Sequence, residues 1–180
     1  MAYLSLGIGV LLTGVLLVAV LGKLGRRGGF TGLAGSLDAF GLRGRVARPA
    51  AAALLAAEAI AVVALWWPAG GRVGAVPAVL LFTAYTAGVA WTLHRRLAVD
   101  CACFGTSRDR LRGRHLARNA ALLTVAATAA VLPAGGAVEA APAAVAAVAG
   151  AVGAALFVFW EDLAAVMSGA PAPSNERNLP

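Results

Sequence analysis

Five stretches of this chain, residues 3–22, 50–67, 73–93, 116–132 and 141–160, are long, apolar and nearly free of charge. Crossing the hydrocarbon core of a bilayer takes about 20 apolar residues in a helix, with roughly 17 to 25 tolerated. Within lipid, backbone N–H and C=O groups must find partners inside the protein, which a helix supplies along its own length. The pattern therefore predicts an all-α fold, a polytopic transmembrane helix bundle of about five spans. The fourth stretch is the least apolar, with Arg118 and Asn119 in its first turn. An arginine there can extend its side chain back to the interface. Composition agrees, with 61% hydrophobic and 13% charged residues where a soluble domain averages about 25% charged.

The net charge of +7 would suit nucleic acid only if it were spread over a folded soluble surface. It is instead confined to the segments between apolar stretches, and no basic-aromatic module accompanies it, so no nucleic-acid partner is expected. The segment after the first stretch holds Lys23, Arg26, Arg27, Arg43, Arg45 and Arg48. The segment between the third and fourth holds Arg95, Arg96, Arg108, Arg110, Arg112 and Arg114, with Arg118 at its edge. The other connections offer Arg72, and the tail Arg177. Positive residues favour the cytoplasmic side, so the reading is a plasma-membrane protein with its N-terminus outside and its C-terminus inside. The first stretch has its charges after it and no basic segment before it, unlike a secretory signal, and is read as a retained span.

Aromatic and small residues refine the outline. Trp66 and Trp67 close the second stretch, Trp91 nears the end of the third and Trp160 ends the fifth, as indoles at the headgroup level would. Phe30, Leu33, Leu37 and Phe40 recur at helical spacing in "FTGLAGSLDAFGL", which predicts a short helix lying in the interface. Ala146, Gly150 and Ala154 form a small-residue seam that lets another helix approach closely. Residues 1–167 are read as one transmembrane domain, and 168–180, Pro-rich and polar, as a disordered tail.

The chain's two cysteines stand one residue apart in "VDCACFGTSRDRLRGRH". Closing so short a loop removes little chain entropy, so a Cys101–Cys103 disulfide suits exchange better than stapling. Cationic neighbours favour the thiolate that performs exchange, and Asp100 tempers them. Three readings of the pair stay open: redox exchange, soft-metal binding and an inert pair whose arginines serve topology alone. A structural zinc site needs four ligands and these thiols supply two, with His94, Asp100 and His115 at no recognised finger spacing, so no metal site is assigned.

Glu58 lies near the middle of the second stretch, in "LLAAEAIAVV". A charged carboxylate there costs about 2.5–3.5 kcal/mol on insertion scales, which makes an intramembrane acid a functional candidate. No basic residue occurs at its depth in the apolar stretches, so it is expected to be protonated and hydrogen-bonded to Thr83, Tyr85 or Thr86. A packing role and a chemical role are both open for it. Ser107 has no nucleophile-elbow context, and no phosphate-binding glycine loop occurs.

At "DCACFG", at "LARNAALL" opening the fourth stretch, at "GKLGRRGGF" and at Glu58, the chain resembles the methylamine utilisation protein MauE family, within the broader DoxX-like membrane proteins. The resemblance runs over roughly residues 5 to 135 and implies a four-helix DoxX-like core followed by a C-terminal helix. It implies a membrane protein active in disulfide maturation of exported proteins, as in methylamine utilisation and methylamine dehydrogenase maturation, beside a thioredoxin-like partner. It makes Cys101 and Cys103 the redox pair of a thiol–disulfide oxidoreductase component, with Phe104 and Gly105 shaping the turn after it. Glu58 and Asn119 become supporting candidates, with Asp100 and Arg118 beside them. In outline the DoxX-like bundle is also similar to quinone-linked disulfide oxidases, so a quinone is the cofactor the resemblance allows. Those oxidases relay electrons through a second cysteine pair; here a partner would have to bring it.

The arginines place the pair on the cytoplasmic face, whereas exported substrates are oxidised outside. The pair then works through the bundle, exchanges with a cytoplasmic dithiol, or sits where the arginines do not report the side. Two other classes of function stand beside exchange: a non-catalytic membrane scaffold or assembly factor, and a small-molecule or metal-ion carrier using Glu58 and the thiols.

Overall fold

A computed structural model describes residues 1–25, 28–67, 71–96, 113–132, 138–160 and 163. Among them the chain is an all-α bundle. Its helices are α1 (Ala2–Gly25), α2 (Gly29–Ser36), α3 (Ala47–Leu65), α4 (Gly71–His94), α5 (Gly113–Val131) and α6 (Ala140–Val158), with 3-10 turns at Leu37–Phe40 and Gly44–Val46. Asp100, Cys101, Cys103, Phe104 and Gly105 lie outside the described residues, as does the tail expected at 168–180.

Four segments are long and apolar enough to cross a membrane: Ala2–Gly25, Gly44–Leu65, Val73–His94 and Ala140–Val158. The α5 helix falls short by composition, yet the directions of the others make it a crossing. Near its end α1 meets α3 at Lys23 and Glu58, whereas near its middle it meets Trp66, whose indole N–H donates to Thr13 Oγ1 at 2.7 Å. These two helices are therefore antiparallel. Glu58 meets Tyr85, and Ala64 backs onto Gly74, so α3 and α4 are antiparallel too. In contrast α6 runs parallel to α1: Gly7 lies against Ala146 and Gly150, and Gly14 against Ala154. A chain that leaves α4 and enters α6 in the same direction must return once between them, and α5 is that return. Its 19 residues span about 28 Å at 1.5 Å per residue, the thickness of the hydrocarbon core.

The low apolarity of α5 follows from what it buries. Its inward stripe is His115, Arg118, Asn119, Leu122 and Ala126, at the spacing of one helix face. The stripe is polar in the first two turns and apolar beyond. Thr124 and Thr128, on its outer side, donate their hydroxyls to the carbonyls of Ala120 and Thr124. Arg118 is thus buried rather than extended to the interface as expected, because the polar side of this helix faces the bundle.

The main core gathers Leu12, Val15, Leu16 and Ala19 of α1 with Ala61, Leu81, Phe82, Leu122 and Ala126. Bulky residues such as Ile60, Leu80, Val145, Val152 and Leu156 point outward, as lipid-facing positions do. Trp66, Trp67 and Trp91 are exposed at or near helix ends, Trp66 standing level with the middle of α1.

Between α1 and α6 the small-residue seam is realised. A Cβ on Gly14 would come within 2.8 Å of the Ala154 Cβ, and one on Gly150 would collide with the carbonyl oxygen of Gly7. Such close approach lets van der Waals packing hold helices that lipid gives no hydrophobic reason to associate.

The short helix expected over this stretch is present, as α2 and the turn Leu37–Phe40. The chain reverses after α1 at Gly28, whose φ of 89° is left-handed, a conformation that costs glycine no steric penalty. A Cβ on Gly29 would stand 2.8 Å from the carbonyl oxygens of Gly22 and Lys23, so α2 folds directly back under the end of α1. Leu33 and Ala34 pack on Ala47 and Ala51 at the start of α3, a small cluster that meets the main core at Leu54. Phe40 reaches across to α4, its ring within 3.4 Å of where a Gly88 Cβ would stand.

Candidate functional site

Glu58 is fully buried, and its partner is Lys23, itself 1% exposed. The ammonium in the last turn of α1 pairs with Glu58 Oε1. Tyr85 of α4 donates its hydroxyl to the same oxygen, and Lys23 Nζ lies 3.5 Å from that hydroxyl. The ammonium also stands 5.7 Å from the centre of the Tyr85 ring, close enough for cation–π attraction. Side chains from two helices, α1 and α4, thus converge on a single carboxylate oxygen of a third, α3. The other oxygen, Oε2, is buried with no hydrogen-bond partner among the described residues.

This corrects the expectation of a lone protonated acid. By sequence Lys23 belongs with the loop cations that set topology, since it closes an apolar stretch. Lys23 is 1% exposed, with the start of α2 packed on its backbone at Gly29, and its long stem carries the ammonium to Glu58. Of the three hydroxyls expected near Glu58, Tyr85 reaches it. Thr83 and Thr86 instead donate to the carbonyls of Val79 and Phe82 on their own helix, the local bond that hydroxyls commonly make in helices.

A second polar group lies at the start of α5. His115, Arg118 and Asn119 are each buried, as is Thr92 near the end of α4. The Asn119 amide has no hydrogen-bond partner among the described residues, for either its oxygen or its nitrogen. Of the sequence candidates, the structure brings Glu58, Arg118 and Asn119 into the bundle interior; Asp100, Cys101, Cys103, Phe104 and Gly105 are not described. The segment that carries the thiols leaves α4 after Arg96 and enters α5 at Gly113, just before its buried polar turns. Both ends belong to the side of the bundle where α1 ends and α3 begins, since α4 and α1 run the same way.

Sequence reading missed Lys23 as an interior residue and Thr92 altogether, and named His115 only as a metal candidate. One signal for Lys23 was available: it lies 35 positions before an intramembrane acid, at the end of a span that must neighbour the next.

The sequence model of the family described as methylamine utilisation protein MauE matches residues 1–133. The chain belongs to that family. Neither the curated proteins nor the solved structures include a significant match. The matched region covers α1 to α5, with Lys23, Glu58, Tyr85 and the thiol-bearing segment, and stops before α6.

Proposed function

From its place in the MauE family, we propose that this multi-pass membrane protein takes part in thiol–disulfide exchange, with Cys101 and Cys103 as the reacting pair and a thioredoxin-like protein as partner. The observation that supports this reading is the position of the chain's two thiols. They lie in the segment between the end of α4 and the buried polar turns of α5, inside the region the family covers. In the exchange, a thiolate of the partner's dithiol attacks one sulfur of the Cys101–Cys103 disulfide. A mixed disulfide forms and the other cysteine leaves as thiolate; the partner's second thiol then breaks the mixed bond. The partner ends oxidised and the pair reduced, two electrons and two protons having changed hands. Disulfide maturation of exported proteins, as in methylamine utilisation, is the process this chemistry serves.

Single Cys101→Ser and Cys103→Ser variants test it. Each leaves one thiol, which an added thiol oxidant couples to the attacking cysteine of a thioredoxin-like protein whose second cysteine is also changed to Ser. With no thiol left to break that bond, the mixed disulfide should accumulate on non-reducing gels and be identified by mass spectrometry. The double variant should trap nothing and lose function. Full function in the double variant would leave a scaffold or assembly role in its place.

A further inference from the structure

Packing alone gives a poor account of Lys23 and Glu58. A buried ion pair contributes no more stability than apolar side chains of similar size would, and an intramembrane acid is costly to insert. The carboxylate is also used unequally. Oε1 takes both the ammonium and the Tyr85 hydroxyl, while Oε2 is buried and unpartnered among the described residues.

We propose that Lys23, Glu58 and Tyr85 form a proton-binding site within the membrane, in which Glu58 Oε2 takes the proton and Lys23 is a counter-charge able to leave. A proton arriving from the aqueous face beside the end of α1 bonds to Oε2 and neutralises the carboxylate. The ammonium then has no buried anion and moves outward as the proton moves in, so the charge inside the bundle stays constant. Lys23 suits this exchange because it lies in the last turn of α1. There the helix carbonyls attract a cation and a four-carbon stem can reach the interface.

What closes the site is α2. It folds back at Gly29 against Gly22 and Lys23, and Phe40 rests at Gly88. Its apolar contacts form a small cluster around Leu33 with Ala47 and Ala51 of α3, joined to the main core through Leu54. Displacing α2 strips Leu33 and Ala34 from the start of α3 and leaves the seam between α1 and α6 in place, and proton uptake is coupled to that displacement.

Other ionisable groups frame the site. Arg48 begins α3, and Asp38, in the turn after α2, is exposed. From α5, packed on α1 and α4, come the buried His115 and Arg118 and the part-buried Arg114. Among these neighbours Glu58 is the buried acid; the buried His115 is a second group able to take a proton, but it gives no carboxyl band.

The test is infrared spectroscopy of the full-length chain in lipid nanodiscs, titrated with pH. A protonated-carboxyl band should grow as pH falls, be absent in Glu58→Gln, and shift in frequency in Glu58→Asp. The Cys101→Ser, Cys103→Ser chain should keep the band, because no thiol takes part; its loss there would overturn a site independent of the thiols. If the wild-type spectrum matches Glu58→Gln at all pH values, or if Glu58→Asp leaves the band unmoved, the pair is a static ion pair and the proposal fails. Because Asp is conservative, the answer does not depend on the Gln variant accumulating.

Discussion

Lys23 and Glu58 lie 35 positions apart and meet inside the bundle as a buried ion pair, tying the end of α1 to the middle of α3. Removing one member leaves the other without its bond, and the remaining group loses its charge or withdraws to the interface. Lys23→Met or Glu58→Leu alone should therefore lower stability by about 1–3 kcal/mol. The double variant should recover most of that loss, since apolar side chains of similar volume replace the pair. Denaturant unfolding of purified protein in micelles, run as a double-mutant cycle, measures it. Additive losses would show that the two side chains are not coupled.

The seam between α1 and α6 makes a second prediction, independent of the ion pair. Gly150 faces the Gly7 carbonyl so closely that any Cβ forces the helices apart. Gly150→Leu should cost about 1–3 kcal/mol, the usual penalty of overpacking a well-fitted interface. The exposed Val152→Leu should cost almost nothing. Thermal unfolding of both variants in one detergent separates the effects.

The number of helices and their lengths were legible in the sequence, because length and apolarity are local properties set by the bilayer. The seam at Ala146, Gly150 and Ala154 was legible for the same reason, being a spacing along one helix. Lys23 was not. Its side chain turns into the bundle to meet Glu58 of α3 and Tyr85 of α4, and nothing in the local pattern around Lys23 distinguishes an interior lysine from a flanking one. The polar start of α5 read as a weakness in a span. Its meaning depends on which side of the helix faces the other four, and that is fixed by packing. Glu58 was recognised as unusual, but the identity of its partner required the contact itself.

With Lys23 buried, the cations left to set the orientation of the first connection are Arg26, Arg27, Arg43, Arg45 and Arg48. They still outweigh Arg72 in the opposite connection. The expected topology is N-terminus outside and C-terminus inside, and Lys23→Met should not invert it. Reporters fused after Leu65 and after Pro180 measure this: a fusion after Leu65 should be active outside the cytoplasm, and one after Pro180 inside. The reverse pattern would overturn the assignment.

Asn119 allows structure and exchange to be separated in one residue. Its amide is buried 1% exposed in the second turn of α5, and neither of its polar atoms has a hydrogen-bond partner among the described residues. An unsatisfied buried amide costs about 1–3 kcal/mol. A leucine of similar size removes that cost, so Asn119→Leu should leave the stability of the bundle unchanged or raise it. The same turn of α5 follows directly on the segment that bears Cys101 and Cys103. If the amide supports that segment during exchange, Asn119→Leu in the Cys103→Ser background should reduce the trapped mixed disulfide. A loss of about fivefold corresponds to one hydrogen bond of about 1 kcal/mol. Stability is read by unfolding in micelles and exchange by adduct yield, on the same preparation. A stable variant with reduced adduct assigns Asn119 to positioning the thiol segment. A stable variant with full adduct removes it from the site, and a destabilised one shows that the amide is held by contacts the bundle needs.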